Sequence, residues 1–468
     1  MSKLYVFGIG GTGARVLRSL THLLACGVAC RDTVVPVLID PDVSNGDLSR
    51  TVTLMQHYAS VRGSLSFGND TSSRFFATEL MEIGHFRLPV QDTQDLVFKD
   101  FMAVDQGMSR PSQALLHMLF SERNMQADMS VGFKGNPNMG IIVLNQFATT
   151  PEFIDLANIF QQDDRVFIVS SIFGGTGASG FPLLLNTLRD NHTLPNFGLL
   201  NEAVVGAVSV LPYFKVKATE SSSIESDAFI AKTRSALAYY DKNLQGKLQA
   251  MYYIGDNATA HRSYPNIEGG REQRNNAHLV ELLAALAVLD FANHDFQPHG
   301  KTVYKEFGME VDKEQTVIFG NFAATTRNIL RRPLTQAMLM ANYMDNVGLD
   351  LRLAQQWSRD NGLGATFFAG DFFGHLQACL KDYVAWLHEM EDNQLSFAPF
   401  ERNAQDAFAI VRGVTPARSF LGKKNYQLFD ATLDDVSRSF KKRPSPERAF
   451  MELFSAATAK LVAQKLKY

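Results

Sequence analysis

The sequence predicts an α/β protein with a mostly parallel sheet wrapped by helices, and three observations predict it. Strand-like apolar runs alternate with helical periodicity over the first two thirds of the chain. Two glycine-rich turns each follow a strand and open a helix, so that free N–H groups point out of the turn. Residues 275–291 are apolar almost all round, which is the pattern of a helix buried on every side.

Residues 4–7 form the first expected strand, followed by a glycine turn and a helix over about 13–24. A second strand covers 34–39 and ends at Asp40. Residues 44–128 are mixed and polar, with scattered helical spacing. Runs 140–145 (GIIVLN) and 165–172 (RVFIVSSI) are expected as buried strands, separated by a helix opening at Pro151. A second glycine turn leads to a helix near 181–189, and 204–211 is a further strand. Helical spacing returns at 226–244, a short strand at 251–254, and the apolar helix at 275–291. A strand at 316–319 and mostly helical segments follow, and the tail from 446 to 468 is an amphipathic helix.

At 468 residues the chain has room for two or three cores without disulfide or metal staples. Lys and Arg total 45 against 48 Asp and Glu, so the basic excess of a general nucleic-acid binder is missing. Three cysteines, Cys26, Cys30 and Cys379, show no zinc spacing; Cys26 and Cys30, four apart, are expected to pack on one helix in a reducing, cytoplasmic setting. The opening MSKLYVFGIGG lacks a signal-peptide pattern, and the longest apolar run, 279–291, is interrupted by Glu281 and Asp290, so no membrane anchor is expected.

The first turn is Gly8-Ile9-Gly10-Gly11-Thr12-Gly13 and the second Phe173-Gly174-Gly175-Thr176-Gly177-Ala178-Ser179-Gly180. One glycine turn is common and fits several phosphate-binding folds. Two on parallel strands would bring two helix N-termini to one ligand, which suits a polyphosphate. For the first turn alone the bland reading is a tight strand-to-helix turn with no ligand. No Gly-Lys-Ser/Thr follows either turn, so a Walker-type loop is excluded.

With these motifs the sequence resembles the tubulin/FtsZ superfamily over about residues 1–300. Gly174, Gly175, Thr176, Gly177, Ser179 and Gly180 match its signature phosphate loop, with Phe173 where the family has glycine. Gly8, Gly10, Gly11 and Gly13 are similar to its first loop, and Gly135-Asn136-Pro137 to an Ala-Asn-Pro loop. Leu211-Pro212-Tyr213-Phe214 and Tyr253-Ile254-Gly255-Asp256-Asn257 resemble later strand ends in the family's order. Asn275-Asn276-Ala277-His278-Leu279-Val280 is similar to the start of the family's central helix, displaced by one position; the plain alternative is that Asn275 caps that helix. Asn293-His294-Asp295-Phe296 resembles the loop whose acid enters the next subunit's nucleotide site.

The resemblance implies a Rossmann-like nucleotide-binding domain at 1–275, a central buried helix and following loop at 276–310, and a divergent, mostly helical α+β C-terminal domain at 311–468. It implies GTP or GDP bound through Gly8, Gly10, Gly11, Thr12, Gly13, Asp40, Asn136, Gly174, Gly175, Thr176, Gly177, Ser179, Asn257 and Asn276. Mg²⁺ is expected without a dedicated protein cage, with Asp40 or Asp42 acting through water. The implied activity is GTP hydrolysis coupled to head-to-tail self-association, Asp295 being the catalytic candidate and an ordinary solvated Asp the competing reading. A nucleotide-gated scaffold that binds GTP without turnover, and presents its C-terminal domain to a protein partner, is the alternative. Residues 38–45 (LIDPDVSN) also look like part of a ThiF-like adenylating enzyme, but no cysteine lies between 31 and 378 to take a thioester, and the second glycine turn is left unexplained.

Overall fold

The computed structural model describes residues 2–67, 75–90, 93, 95–130, 132–133, 135–216, 226–256, 263–264, 269–306, 316–417, 425–440 and 445–468. Asn257 lies outside the described residues. The strands of the main sheet are β1 (Lys3–Ile9), β2 (Thr33–Ile39), β3 (Arg165–Ser171), β4 (Val204–Val210), β5 (Ala250–Ile254) and β6 (Val303–Glu306). They are all parallel and ordered β2-β1-β3-β4-β5-β6. β1, β2 and β3 are buried on both faces, which is why they read as unbroken apolar runs. After β1 the chain adds β2 on one side and returns to add β3 on the other. The order therefore reverses between β1 and β3, and both glycine turns stand at the carboxyl ends of those two strands.

The helices that position the site are α1 (Gly10–Ala25), α2 (Gly46–Ser64), α3 (Pro137–Leu144), α4 (Gly175–Asp190), α5 (Ser226–Asn243) and α6 (Leu279–Asn293). Both glycine turns are tighter than expected, since α1 begins at Gly10 rather than 13 and α4 at Gly175 rather than 181. Beyond them, α7 (Ala324–Asn346), α8 (Asp371–Glu391), α9 (Asn425–Ser439) and α10 (Pro446–Leu461) make the C-terminal part mostly helical.

Several expectations are corrected. Residues 140–145 are not a strand: Asn136 caps and Pro137 starts the helix α3, and that local start signal outweighs the β-branched run. The apolar helix begins at Leu279 instead of 275, because His278 accepts from the N–H of Val280 while Glu281 reaches back to the N–H of His278. Asn275 is therefore not its cap. Cys26 ends α1 and Cys30 lies beyond it, so the two cysteines do not share a helix. The strand at 316–319 is only Thr316–Val317, and β6 was hidden in sequence because its residues are largely exposed at the sheet edge.

A polar stripe fastens α8 to the sheet's helices. His375, Asp382 and Glu389 recur every seven residues and so share one face of α8. His375 Nδ1 lies 2.8 Å from Nδ1 of His57 on α2. Asp382 accepts from Arg18 Nε and Nη2 at 3.1 and 3.0 Å and lies 3.0 Å from His22 Nε2, both on α1. Glu389 accepts from Arg18, from Arg50 and from the backbone N–H of Ala277. Burial opposes ionisation of Asp382, but the His22 contact and the Arg18 fork outweigh it and hold this carboxyl well below the usual range.

Candidate functional site

Three turns meet at the switch point of the sheet, the position where open α/β sheets present their ligand crevice. Gly10 has φ +72°, and a Cβ there would stand 3.4 Å from Thr176 Cβ and 3.7 Å from the Gly177 nitrogen, so the first turn lies against the second. A Cβ on Gly175 would come within 3.1 Å of the Asn136 nitrogen and 3.2 Å of the Gly135 nitrogen, which brings in the turn at Gly135 and Asn136. Neither α1 nor α4, each 16 residues long, has a side-chain N-cap. Their first N–H groups and the positive ends of their dipoles stand together at turns made of glycine and threonine.

The expected site residues divide in two. Gly8 and Gly13 pack strand against helix: a Cβ on Gly13 would lie 2.4 Å from the Gly8 carbonyl carbon. A Cβ on Gly177 would meet Ser171 O at 2.7 Å, and Ser179 Oγ is committed to the carbonyls of Gly175 and Thr176. These four hold the turns in shape. Gly11, Gly174 and Thr176 are partly exposed at the mouth, and Gly10, Thr12 and Gly175 line it more deeply. Among the described residues, a Cβ on Gly11 would meet only Arg15 Nη1, at 3.5 Å.

Asn136 spends its side-chain oxygen on the N–H groups of Asn138 and Met139. Asn276 is exposed, while Asn275 Nδ2 donates to Asp47 at 2.8 Å. Asp40 stands at the end of β2, accepting from the Asp42 N–H; its burial, with Asp42 and Asp47 nearby, pushes its pKa up to about 7. Asp42 in turn accepts from the N–H groups of Ser44 and Gly270, which ties the 270–275 segment to this turn.

A buried charge cluster behind the first turn escaped the sequence reading. Arg15 donates from Nε to Glu281 at 2.5 Å, from Nη1 to Asp47 at 3.0 Å and from Nη2 to the Tyr213 hydroxyl at 2.8 Å. Burial opposes the charge, but Tyr213, Glu281 and Asp47 keep Arg15 protonated. These partners are up to 266 residues apart, and the only sequence signal was a Glu inside the apolar run LVELL. Lys232 on α5 was also missed; its Nζ donates to Gly135 O at 2.6 Å.

Asp295 lies elsewhere. It follows α6, whose end is held by Arg165 at the start of β3, and it is ion-paired with Arg31 just before β2. It is thus at the amino end of the sheet, opposite the glycine turns, and 84 % exposed. Among the described residues, no three His, Cys, Asp or Glu side chains converge as a metal site, and no helix is long and apolar enough to cross a membrane.

Fold and site define a parallel, Rossmann-like α/β protein with paired glycine turns at the switch point of its sheet and a helical C-terminal part. No family model and no curated protein matches the chain. Among solved structures it is similar to CetZ2 from Haloferax volcanii, solved as a GTPγS-bound protofilament, with 13 % identity, a TM-score of 0.29 and coverage of 62 % of this chain and 58 % of that one. It is also similar to CetZ from Methanosaeta thermophila strain DSM 6194, with 13 % identity, a TM-score of 0.28 and coverage of 62 % and 54 %. The chain thus spans a little over half the length of either structure.

Proposed function

We propose that this chain is a tubulin/FtsZ-like protein that binds a guanine nucleotide across its two glycine turns and, in a cytoplasmic setting, self-associates head-to-tail. The observation that carries this reading is the meeting of two 16-residue helices without side-chain N-caps and the turn at Gly135 and Asn136 at the sheet's switch point. The turns fit a phosphate chain: glycines leave room for close approach and the helix starts supply N–H donors. In this reading Gly10, Gly11, Thr12, Gly174, Gly175 and Thr176 hold the phosphates, and Asp40 faces the ribose or the hydrated metal. Mg²⁺, when bound, neutralises phosphate charge while keeping most of its waters. The nucleotide domain takes in 1–275 and the 276–310 segment, whose β6 completes its sheet, and 311–468 forms the C-terminal domain.

Hydrolysis would require Asp295 of a neighbouring copy, because Asp295 stands at the far end of its own sheet. The Arg31 contact favours a second reading, in which the acid is held in an ion pair and the protein is a nucleotide-gated scaffold without turnover.

Gly11→Asp tests the site. The aspartate stands at the second residue of α1, with its Cβ beside Arg15 Nη1, where it favours the helix dipole by about 0.3–1 kcal/mol and repels a phosphate. Calorimetric titration is expected to show GTP bound by the wild type and a loss of about tenfold or more in the variant, with the melting temperature retained. Unchanged GTP affinity in the variant overturns the assignment, and equal affinity for ATP removes guanine selectivity. Gly177→Val is a poorer probe, since its side chain would strike the Ser171 backbone and report on folding.

A further inference from the structure

We propose that the first turns of α7 are a docking surface for an acidic segment of a partner protein, gripped by Arg327, Arg331 and Arg332. All three arginines lie near the start of this 23-residue helix, and Asn328 and Ile329 stand exposed among them. No side chain caps the helix start, and no acid lies in its first turn. The positive end of the dipole therefore adds to the arginines instead of being offset, which by itself is unfavourable to the helix. Local conflicts of this kind are kept where function needs them.

Arg15, Arg18 and Arg402 are each ion-paired with two carboxylates. Among the described residues, none of Arg327, Arg331 and Arg332 meets a carboxylate, although all three are half-buried. Arg332 Nε is cut off from solvent and donates to nothing, so a donor is desolvated without a hydrogen bond to replace its water. The Arg331 guanidinium carbon lies 3.6 Å from the centroid of the Tyr468 ring, which fixes its plane and leaves its edge to an acceptor. Burial, and with it the like charge of Arg327, draws the Arg331 pKa down, while the guanidinium stays charged. An arriving carboxylate relieves the repulsion and satisfies the bare donor. Two features favour a protein over other polyanions. The arginines leave the helix over roughly 8 Å of its axis, too short to track a nucleic-acid strand or a membrane surface. Ile329, 48 % exposed, stands one turn before Arg332, and arginine beside an apolar contact is the make-up of a protein hot spot. The chain as a whole carries a net charge of −3, so an acidic ligand is drawn to this surface and not to the molecule at large.

The test follows the fluorescence anisotropy of a labelled short peptide, glutamates interrupted by two leucines, on titration with the full chain at low salt. The wild type is expected to bind it, and to bind the same peptide with glutamine for glutamate not at all. Affinity should fall about tenfold or more when Arg327→Gln, Arg331→Gln and Arg332→Gln are combined, and about threefold or more in Arg332→Gln or Ile329→Ser alone. The melting temperature of the arginine variants should equal or exceed that of the wild type, because unpaired charges leave the positive end of a helix. A lowered melting temperature in Arg332→Gln would make that arginine a structural group and overturn the proposal. So would a wild type that does not bind the peptide, or a combined variant that binds it equally well. Tighter binding of oligothymidylate or of phosphatidylserine vesicles than of the peptide, unaffected by Ile329→Ser, would overturn the choice of a protein partner.

Discussion

Asp40 shows how a single residue couples the site to folding. Its carboxyl titrates near 7 in the folded chain and near 4 when unfolded, so between these values the native state binds the extra proton. Stability must then fall as pH rises from about 4 to about 7, by at most about 4 kcal/mol from this group. Asp40→Asn removes that slope and is expected to be more stable than the wild type at pH 8 and little different at pH 4. Urea unfolding at the two values checks this; a variant less stable than wild type at both would show that the carboxylate is needed for structure. The same proton matters to an anion, because a neutral Asp40 leaves the turns more positive. Nothing in the sequence disclosed the burial of Asp40, although the end of β2 was readable from its apolar run. Arg15 and Lys232 were illegible for a related reason: their roles depend on partners 32 to 266 residues away.

At the scale of elements, the strands β1 to β5 and the helices after both glycine turns were legible because burial on two faces and the glycine punctuation are local signals. Two failures are equally local. The run GIIVLN looked like a strand, yet Asn136-Pro137 before it is a helix start and decides the outcome. β6 has the exposed edge pattern VYKE, which carries no core signal. The fastening of α8 was invisible because its seven-residue stripe is polar. Acid should weaken that fastening. Burial lowers the pKa of His22 and, together with its neighbour His375, that of His57, so both bind protons less readily when folded than when unfolded. Around them stand Arg18, Arg50, Asp382, Glu389 and His375. The histidine contribution is present above pH 6.5 and is lost as pH falls below it, opposite in sign to that of Asp40. His57→Gln is expected to flatten the acid limb of the stability curve measured by denaturant melts. An unaltered acid limb would place the sensitivity at His22 and Asp382 instead.

For the whole molecule, the relation between Asp295 and the glycine turns governs what a single chain can do. The turns stand at the carboxyl end of the sheet and Asp295 at the amino end, near Arg31 and the start of β3. Each β-strand between them is seven residues long in β1, β2 and β3, roughly 23 Å at the usual rise per residue. No side chain spans that distance, so one copy cannot bring its own acid to its own turns. Two copies stacked end to end can, and such a heterologous contact propagates unless it closes into a ring. The proposed function therefore predicts GTP-promoted oligomers whose phosphate release is second order in protein at low concentration. Asp295→Ala should assemble with GTP as the wild type does and lose turnover, which sedimentation and phosphate-release measurements resolve separately. Full turnover in Asp295→Ala removes the acid from the mechanism. A wild type that binds GTP tightly yet stays monomeric and releases no phosphate leaves the Arg31 pair intact, and makes this protein a nucleotide-gated scaffold.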